Sequence, residues 1–399
     1  MNTIKAEIFS GRFLYRQKSA LIFWFGLVVV ALLLSFLRHD IINNYKVFKY
    51  VFYHTVQQKN LYFFYPADHG DVNLYGPIFS MVIAPFALLP DAIGSKLWVI
   101  GGAAFLFFAI MQLPVKKEFR YAIIVLNAIE MMNVAAWYQS NAVIAACIIL
   151  GFVYTHRGKE HWALFFILLA AFIKIYGIAG LAFFFFSNNK LKYILWFVIW
   201  SVIFFLLPVT ISSFHFIIQS YSDWYNALVQ KSAKNINTFI HNDFQDISVM
   251  GMIRRIFRFP QLNNNYVYIP AFIFFGLQYL QVKYFSDIRY RLYILCSALI
   301  FVVIFSTGSE SPTYIIAFPA ICLWYFLQNK TKLVNTYFIF AFILTSLSYS
   351  DLLTPYVREH IARPYSIKAL PSFITWFIIC IQVYSRQFLR LDLQKTIHV

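Results

Sequence analysis

A series of apolar runs constrains the fold of this chain more than any other feature. With 61% hydrophobic and 12% charged residues over 399 positions, the chain carries more apolar surface than a water-soluble core can bury. The sequence therefore predicts an all-α polytopic membrane protein, a single transmembrane domain over residues 1–399 with about 12 transmembrane helices. Several runs are short for a span, which needs roughly twenty residues. The runs cover residues 20–37, 95–113, 121–137, 139–155, 161–174, 176–187, 191–208, 266–284, 290–306, 313–327, 333–350 and 371–389.

Basic residues predict the orientation of the helices. Four of them precede the first run, and no small-residue cleavage site follows it, so we expect an uncleaved anchor and a cytoplasmic N-terminus. The later Lys and Arg clusters fall on the cytoplasmic side if the proline-interrupted stretch 77–90 does not cross the bilayer. The net charge of +17 is then explained by the excess of Lys and Arg in cytoplasmic loops, and we expect no nucleic-acid partner.

The first outer loop, residues 38–94, holds four of the sixteen acidic residues. Between Ile41 and Gln58, apolar side chains recur with helical spacing, which predicts an amphipathic helix on the membrane surface. The predicted apolar face consists of Ile41, Tyr45, Phe48, Phe52 and Val56. The stretch 77–90 then predicts a re-entrant or interfacial helix, because it is too short to span. A carboxylate held against the membrane surface suggests a lipid substrate.

Two further segments lie on the same, non-cytoplasmic side: the second outer loop, residues 209–265, and residues 351–370. Their Lys and Arg residues cannot be explained by topology. Arg254 and Arg255 are candidates for binding a phosphate head group, although neighbours on a helix point in different directions. The alternative for each is a solvated loop residue or a contact with anionic lipid.

Polar residues at the outer ends of the spans are further candidates, since ionisable groups in a membrane are costly. Lys174 stands at a break marked by Gly177, where its ammonium can meet a phosphate or a loop carboxylate, or reach to the interface. Gln139 and Asn141 flank Ser140 in a polar turn that can cap a helix or bind a sugar.

Glu310 and Tyr314 begin a later span from the outer side and are further candidates for substrate binding. Glu130 lies in the middle of a span, with no other ionisable residue close in sequence. A hydrogen bond to a neighbouring helix explains Glu130 better than chemistry does.

The sequence lacks the motifs of several reaction classes. No phosphate-binding glycine loop precedes a helix, and no DxD motif is present to hold a metal-bound nucleotide sugar. The four cysteines lie in apolar segments without zinc-binding spacing, so we interpret them as packing residues. The chain instead offers an outer-loop carboxylate, interfacial cations and aromatic surfaces, which suit transfer of a sugar from a lipid phosphate. In that reaction an acid side chain deprotonates the acceptor hydroxyl, and cations stabilise the departing phosphate.

The motifs resemble one known family. The run HDIINNYKVFKYVFYHTVQQKNLYFFYP, followed by LYGPIFSMVIAPFALLP and LW, resembles the first luminal loop of glycosyltransferase family 87, the polyprenol-phosphate-mannose-dependent mannosyltransferase-like group with the GT-C fold. Later segments are similar too, among them QSNAVIAACIILGF, FIKIYGIAG, ISVMGMIRRIF and SESPTYIIAFPAICL. The similarity extends over most of residues 38–325 and implies a GT-C-like bundle with a helical first outer loop.

The resemblance implies that Asp40 is the general base, with Asn44 and Tyr45 near the substrate. Tyr45 follows Asp40 by five positions where the family pattern has about four, so His39, Asp68 and Asp71 remain second choices. Capping of the helix that begins near Ile41 is an alternative role for Asp40. The resemblance also implies a polyprenyl-phosphate-linked hexose donor, mannose foremost, a lipid or glycan acceptor, and no obligatory metal or other cofactor.

Two competing functions stay open. A transporter or flippase for a lipid-linked saccharide would show internal repeats and polar helix breaks at mid-membrane, whereas the polar residues here gather at one face. A surface-polysaccharide polymerase or ligase would place its largest outer loop late in the chain. We expect an enzyme in a bacterial inner membrane with its active site on the non-cytoplasmic side; the oligomeric state is not predicted.

Overall fold

The computed structural model describes residues 12–37, 42–237, 244–350 and 352–391, and the regular structure in these ranges is all helical. The all-helical part of the fold predicted from the sequence is therefore confirmed. The helices are α1 (Gln17–Leu37), α2 (Asn43–Val56), α3 (Phe79–Ala87), α4 (Asp91–Met111), α5 (Lys117–Ala136), α6 (Asn141–His156), α7 (Glu160–Ile173), α8 (Lys190–Leu206), α9 (Phe214–Asn237), α10 (Val249–Ile256), α11 (Asn265–Leu277), α12 (Ile288–Ile304), α13 (Phe318–Leu327), α14 (Lys332–Phe342), α15 (Pro355–Val357) and α16 (Ala369–Tyr384). A 3₁₀ helix occupies Ile175–Phe186.

Four helical stretches in the described part of the chain are long and apolar enough to cross a membrane. They are Gln17–Leu37, Asp91–Met111, Lys117–Ala136 and Lys190–Ile211. Six shorter apolar helices, of 10–17 residues, account for most of the remaining apolar runs. The predicted count of about twelve spans is thus not confirmed, because breaks divide several runs into pieces shorter than the roughly twenty residues that a span needs.

The chain divides into two compact units. Unit 1 contains residues 1–27, 113–131 and 232–399, and unit 2 contains residues 28–112 and 132–231. In unit 1, α12 packs on α13 and α16, and the Trp376 indole donates a hydrogen bond to Ser297 Oγ over 3.1 Å. In unit 2, α6 packs on α4, α7 and the 3₁₀ helix.

Small residues allow the close packing of α6 and α7. A Cβ atom on Gly151 would lie 2.4 Å from the Ile167 side chain, so glycine is required where these helices meet. The connection between them contains Gly158 with φ +66°, a left-handed conformation that glycine adopts without strain. These two glycines let α7 fold back tightly against α6.

The first outer loop carries two helices in the stretches where the sequence predicts them. In α2, Tyr45 and Phe48 are buried as expected, but Val56, predicted on the same face, is 47% exposed. The buried face instead continues through Val51 and His54, and the Phe48 ring packs against the loop aromatics Tyr75 and Phe79. The location of α2 at the membrane surface and the re-entrant course of 77–90 stay predictions.

Candidate functional site

Lys174 marks a real break in the chain. Helix α7 ends at Ile173, Lys174 has extended backbone angles (φ −149°, ψ 130°), and the 3₁₀ helix starts at the next residue. A Cβ atom on Gly177 would lie 2.1 Å from the backbone nitrogen of Ala171, so only glycine lets the chain turn back at this point. This local geometry lifts the Lys174 side chain out of the helical pattern.

The Lys174 ammonium lies among amide and aromatic groups of unit 2. Its Nζ donates a hydrogen bond to Asn141 Oδ1 over 3.0 Å. It also lies 5.7 Å from the centre of the Tyr75 ring and 5.0 Å from that of Tyr176, where cation–π attraction contributes. We call Tyr75, Gln139, Ser140, Asn141 and Lys174 the Lys174 cluster.

The polar turn predicted at residues 139–141 contributes three members of this cluster. The Tyr75 hydroxyl donates to Gln139 Oε1 over 3.3 Å and accepts a hydrogen bond from Ser140 Oγ over 3.1 Å. Tyr138, before them, has φ 53°, which makes the turn between α5 and α6 sharp. The structure thus brings together Gln139, Asn141 and Lys174, which the sequence analysis selected one by one.

One donor in the cluster has no hydrogen-bond partner. Asn141 is 1% exposed, and its Nδ2 atom contacts no acceptor within the described parts of the chain. A buried amide donor without a partner is costly, typically about 1–3 kcal/mol. Because the Lys174 ammonium hydrogen-bonds the oxygen of the same amide, the site presents positive charge and a vacant N–H donor side by side, an arrangement suited to an anion.

Tyr75 is the member that sequence reasoning missed, although LY appears in the motif. Its backbone is fixed by three hydrogen bonds, from the Tyr62 hydroxyl (3.1 Å) and Asn73 Nδ2 (3.2 Å) to its carbonyl, and from its N–H to Asn73 Oδ1 (2.9 Å). The following residue, Gly76, donates its N–H to the carbonyl of Ile173 over 3.1 Å. These contacts attach the first outer loop directly beside Lys174.

The other candidates in the first loop have separate positions. Asp40 and His39 lie outside the described residues. Asn44 Nδ2 donates to the carbonyl of Trp137 over 2.7 Å, and the Tyr45 hydroxyl donates to that of Phe86 over 2.7 Å, so both brace the loop.

Asp68 lies 3.0 Å from buried His54, measured from Oδ2 to Nε2. Burial lowers the pKa of His54 below its ordinary value, despite the nearby carboxylate. Asp71 is exposed, and its Oδ1 accepts a hydrogen bond from the Val72 backbone over 2.8 Å. Asp68 therefore contacts a buried imidazole, whereas the Asp71 carboxylate accepts a hydrogen bond within its own turn.

Arg254 and Arg255 are both buried in unit 1 and both reach the segment before α10. Arg254 Nη1 donates to Asp246 Oδ2 over 2.8 Å. Arg255 donates to the backbone carbonyls of Gln245 (2.8 Å) and Asp246 (2.9 Å) and to Ser366 Oγ. These contacts hold residues 245–246 in a bend in which Asp246 has φ 52°. The geometry favours a structural role for both guanidinium groups.

Glu310 and Tyr314 belong to the same network. Gln245 Nε2 donates to Glu310 Oε1 over 2.7 Å, and the Tyr314 hydroxyl donates to the carbonyl of Ile247 over 2.9 Å. The Ile247 N–H completes the connection by donating to the carbonyl of Ser309 over 2.8 Å. Four residues predicted to bind substrate thus meet around residues 245–247, and substrate binding by them stays a prediction.

Glu130 has a partner that its sequence neighbourhood does not reveal. The Lys368 ammonium donates to both carboxylate oxygens of Glu130 at 3.0 Å and to Ser311 Oγ at 3.0 Å. Both charged side chains are 1% exposed. Lys368, predicted within an outer basic segment, is therefore part of a buried ion pair.

The family model described as glycosyltransferase family 87 matches residues 73–347, more than half of the chain. The chain belongs to glycosyltransferase family 87. The resemblance seen in the sequence motifs is thereby confirmed, and with its apolar helices this family 87 protein is a membrane glycosyltransferase. No curated protein matches the chain.

The family match distinguishes two groups of candidate residues. The Lys174 cluster and the network around residues 245–247 lie inside the matched range, whereas Asp40, Asn44 and Tyr45 precede it. Among the described residues, no group of three or more His, Cys, Asp or Glu side chains could hold a metal ion. Metal independence of this family 87 enzyme stays a prediction.

Proposed function

We propose that this family 87 glycosyltransferase moves a hexose, with mannose the first candidate, from a polyprenyl-phosphate carrier to a lipid or glycan acceptor. The reaction takes place on the non-cytoplasmic face of a bacterial inner membrane, with inversion at the anomeric carbon. Family membership supports sugar transfer, and the apolar helices support a lipid-borne substrate. The proposal requires neither a metal nor another cofactor.

The observation that carries the donor assignment is the pair of donors at Lys174 and Asn141. A polyprenyl-phosphate sugar leaves its phosphate behind as an anion, whose charge increases as the sugar departs. The Lys174 ammonium and the vacant Asn141 Nδ2 donor can both bind such an oxygen, and the anion would satisfy the buried amide. The site therefore suits a phosphate more than a neutral ligand.

The chemical step follows from these groups. Asp40 accepts the proton of the acceptor hydroxyl, whose oxygen forms the new bond to the anomeric carbon. The bond from that carbon to the phosphate oxygen breaks, and its electron pair stays with the phosphate, beside Lys174. Because the acceptor itself is the nucleophile, one carboxylate suffices and the configuration inverts.

Neighbouring side chains can orient the sugar. Gln139 offers an amide within the cluster, and the Tyr75 ring beside the Lys174 ammonium offers a flat surface for a hexose. Asn44 and Tyr45 position the loop that follows Asp40, through their hydrogen bonds to backbone carbonyls. Arg254, Arg255, Glu310 and Tyr314 support the second outer loop in this proposal.

The test is transfer of labelled hexose from synthetic polyprenyl-phosphate-mannose to a lipid or glycan extract by purified protein. Asp40→Asn should lower the rate about 100-fold or more, as loss of a general base does. Asp68→Asn and Asp71→Asn are the matched controls, because both carboxylates lie in the same loop. Equal rates for Asp40→Asn and wild type would exclude Asp40 as the general base, and a selective loss in Asp68→Asn would assign that role to Asp68.

Lys174→Met tests the phosphate site. A lost charge-assisted hydrogen bond of about 1.5–3 kcal/mol should lower kcat/KM for the donor roughly 10- to 150-fold. Lys192→Met, which removes an exposed ammonium in the same unit, should leave the rate unchanged. Equal losses in both variants would contradict a phosphate site at Lys174.

Two outcomes with the wild-type protein would overturn the wider proposal. Transfer from a nucleotide sugar, but not from the lipid-linked sugar, would show that the donor class is wrong. Movement of the lipid-linked sugar across vesicles without transfer would favour a transporter.

A further inference from the structure

Helix α9 is the longest helix of the described chain and is not among its candidate spans. It has the sequence FHFIIQSYSDWYNALVQKSAKNIN, in which polar and apolar residues alternate with helical spacing. It follows the candidate span Lys190–Ile211 after a gap of two residues. Its first turn is therefore held close to one end of a membrane span.

One face of α9 is fixed to unit 2. The Trp224 indole donates to the carbonyl of Leu74 over 3.0 Å. The Tyr221 ring stacks on Phe205 with 4.4 Å between ring centres, and its hydroxyl donates to the carbonyl of Phe204 over 3.3 Å. These contacts join α9 to the end of α8 and to the first outer loop, and they prevent rotation of the helix about its axis.

The exposed surface of α9 begins beside Tyr221 and is divided lengthwise. At 100° per residue, four large apolar side chains fall within about 60° of one another, and five polar ones occupy roughly the next 80°. The apolar stripe consists of Phe214, Ile218, Tyr225 and Val229. The polar stripe consists of His215, Gln219, Ser222, Asn226 and Gln230.

The tip of the first outer loop adds two exposed rings beside α9. Phe63 and Phe64 are 64% and 53% exposed, whereas Leu61 and Tyr62 before them are buried. The tip is tied to α9 where Asn60 Nδ2 donates to Asp223 Oδ2 over 2.8 Å. A second tie, from Ser213 Oγ to Gln58 Oε1 over 2.9 Å, joins the residue before α9 to the same loop.

The neighbouring span indicates what covers the apolar stripe. Only 11% of the residues in the most apolar window of the candidate span Lys190–Ile211 are buried within the protein, so most of this apolar helix lies on the protein surface. Because α9 continues from that exposed apolar helix and is fixed against its last turn, the apolar stripe continues a surface suited to contact with lipid. A divided exposed face is also typical of a helix lying at the boundary between acyl chains and water.

We propose that α9 lies in the plane of the bilayer surface on the side of the first outer loop. The apolar stripe enters the acyl boundary to a depth of about 5–10 Å, and the polar stripe faces water. Phe63 and Phe64 form a second membrane contact. Exposed Lys234 in the last turns of the helix favours anionic head groups.

This position has a consequence for the Lys174 cluster, although it does not depend on the proposed activity. Leu74, to which Trp224 is bonded, directly precedes Tyr75, a member of the cluster. A helix at head-group level therefore sets the cluster close to the level of lipid phosphates. Under the proposed function, the lipid surface that contacts α9 is also the source of the substrate.

Single cysteines carrying a nitroxide label test the proposal in nanodiscs of phosphatidylethanolamine and phosphatidylglycerol. Collision rates with oxygen, which concentrates in lipid, are compared with those of a water-soluble nickel chelate. Ile218→Cys, Tyr225→Cys and Val229→Cys should favour oxygen, and Gln219→Cys and Asn226→Cys should favour the chelate. The native cysteines are all buried, so the unsubstituted protein serves as the labelling control.

Each other pattern overturns the proposal. Chelate access at both stripes would place α9 in water, and oxygen access at both would place it inside the acyl region. Protection of the apolar stripe from both reagents would show that protein covers it, and dependence of that protection on protein concentration would identify a second copy. The substituted positions are exposed, and elution at the wild-type volume verifies folding. The measurement needs no substrate, so its failure is distinct from failure of the proposed function.

Discussion

Replacement of Lys368 by Met should destabilise the protein strongly, because it leaves the buried Glu130 carboxylate without its cationic partner. Lys368 donates to both oxygens of Glu130 and to Ser311 Oγ, each at 3.0 Å, so three hydrogen bonds end at one ammonium. With both charged groups 1% exposed, water cannot replace the lost donor. Breaking one partner of such a pair costs about 3–5 kcal/mol of unfolding free energy.

The double substitution Glu130→Gln with Lys368→Met distinguishes the free-energy cost of an unpaired buried charge from the net stability that the ion pair contributes. Gln has nearly the volume of Glu and no charge, so the doubly substituted protein carries no buried charge at these two positions. Replacement of a whole buried pair is often close to neutral. We therefore expect the double variant to recover at least about half of the loss, giving an interaction energy of roughly 2 kcal/mol or more.

Unfolding in mixed micelles, followed by tryptophan fluorescence as the fraction of denaturing detergent rises, measures these differences. Lys332→Met, which removes an exposed ammonium from unit 1, is the control and should stay within about 0.5 kcal/mol of wild type. A loss of unfolding free energy below about 1 kcal/mol in Lys368→Met would refute the reasoning, because an unpaired buried charge costs about 3–5 kcal/mol. Additive losses in the double variant would refute it as well.

Three further predictions concern other parts of the chain. Burial lowers the pKa values of His54 and His69. The stability that their neutral forms contribute above the unfolded-state pKa of about 6.5 should therefore be lost as pH falls through the lower folded-state values. Unfolding midpoints between pH 8 and 5 measure this loss, and the pH dependence should be weaker in His69→Phe. Gly251→Ala should lower the free energy of unfolding by about 1–3 kcal/mol, since its Cβ would lie 1.9 Å from the carbonyl oxygen of Asp246. Gly26→Ala is the control and should not destabilise the protein, because open space surrounds Gly26. Equal unfolding curves for the two variants would contradict the clash at Gly251. A water-soluble maleimide should leave the four buried cysteines unlabelled until the protein is unfolded, and rapid labelling of the native protein would contradict their burial.

Local features of the fold were predictable because their causes lie close together in the sequence. The break at Lys174 follows from Gly177, and the turn at Gln139 follows from three successive polar residues between apolar runs. Both depend on backbone preferences that neighbouring residues determine. The sequence therefore identified Lys174, Gln139 and Asn141 before the structure brought them together.

Long-range partners were not predictable, because nothing in a single sequence relates residues from distant helices. Arg255 was selected as a phosphate ligand from its charge, yet its guanidinium reaches Ser366, 111 positions later. Tyr75 looked like one aromatic residue among many, and only the fold places it under Lys174. The number of spans was also uncertain, since proline and 3₁₀ segments shorten runs that composition alone marks as apolar.

The ion pair between α5 and the start of α16 also affects the order in which the two units can be completed during synthesis. Glu130 enters the membrane 238 residues before Lys368 is made. At roughly 5–20 residues per second, that interval lasts about 10–50 s. Unit 2 is complete at residue 231, whereas unit 1 needs residues up to Lys368 to match its buried carboxylate. A ribosome stalled or terminated before residue 368 would therefore release a chain with unit 2 assembled and a solitary charge in the membrane, a recognisable signal for quality-control proteases.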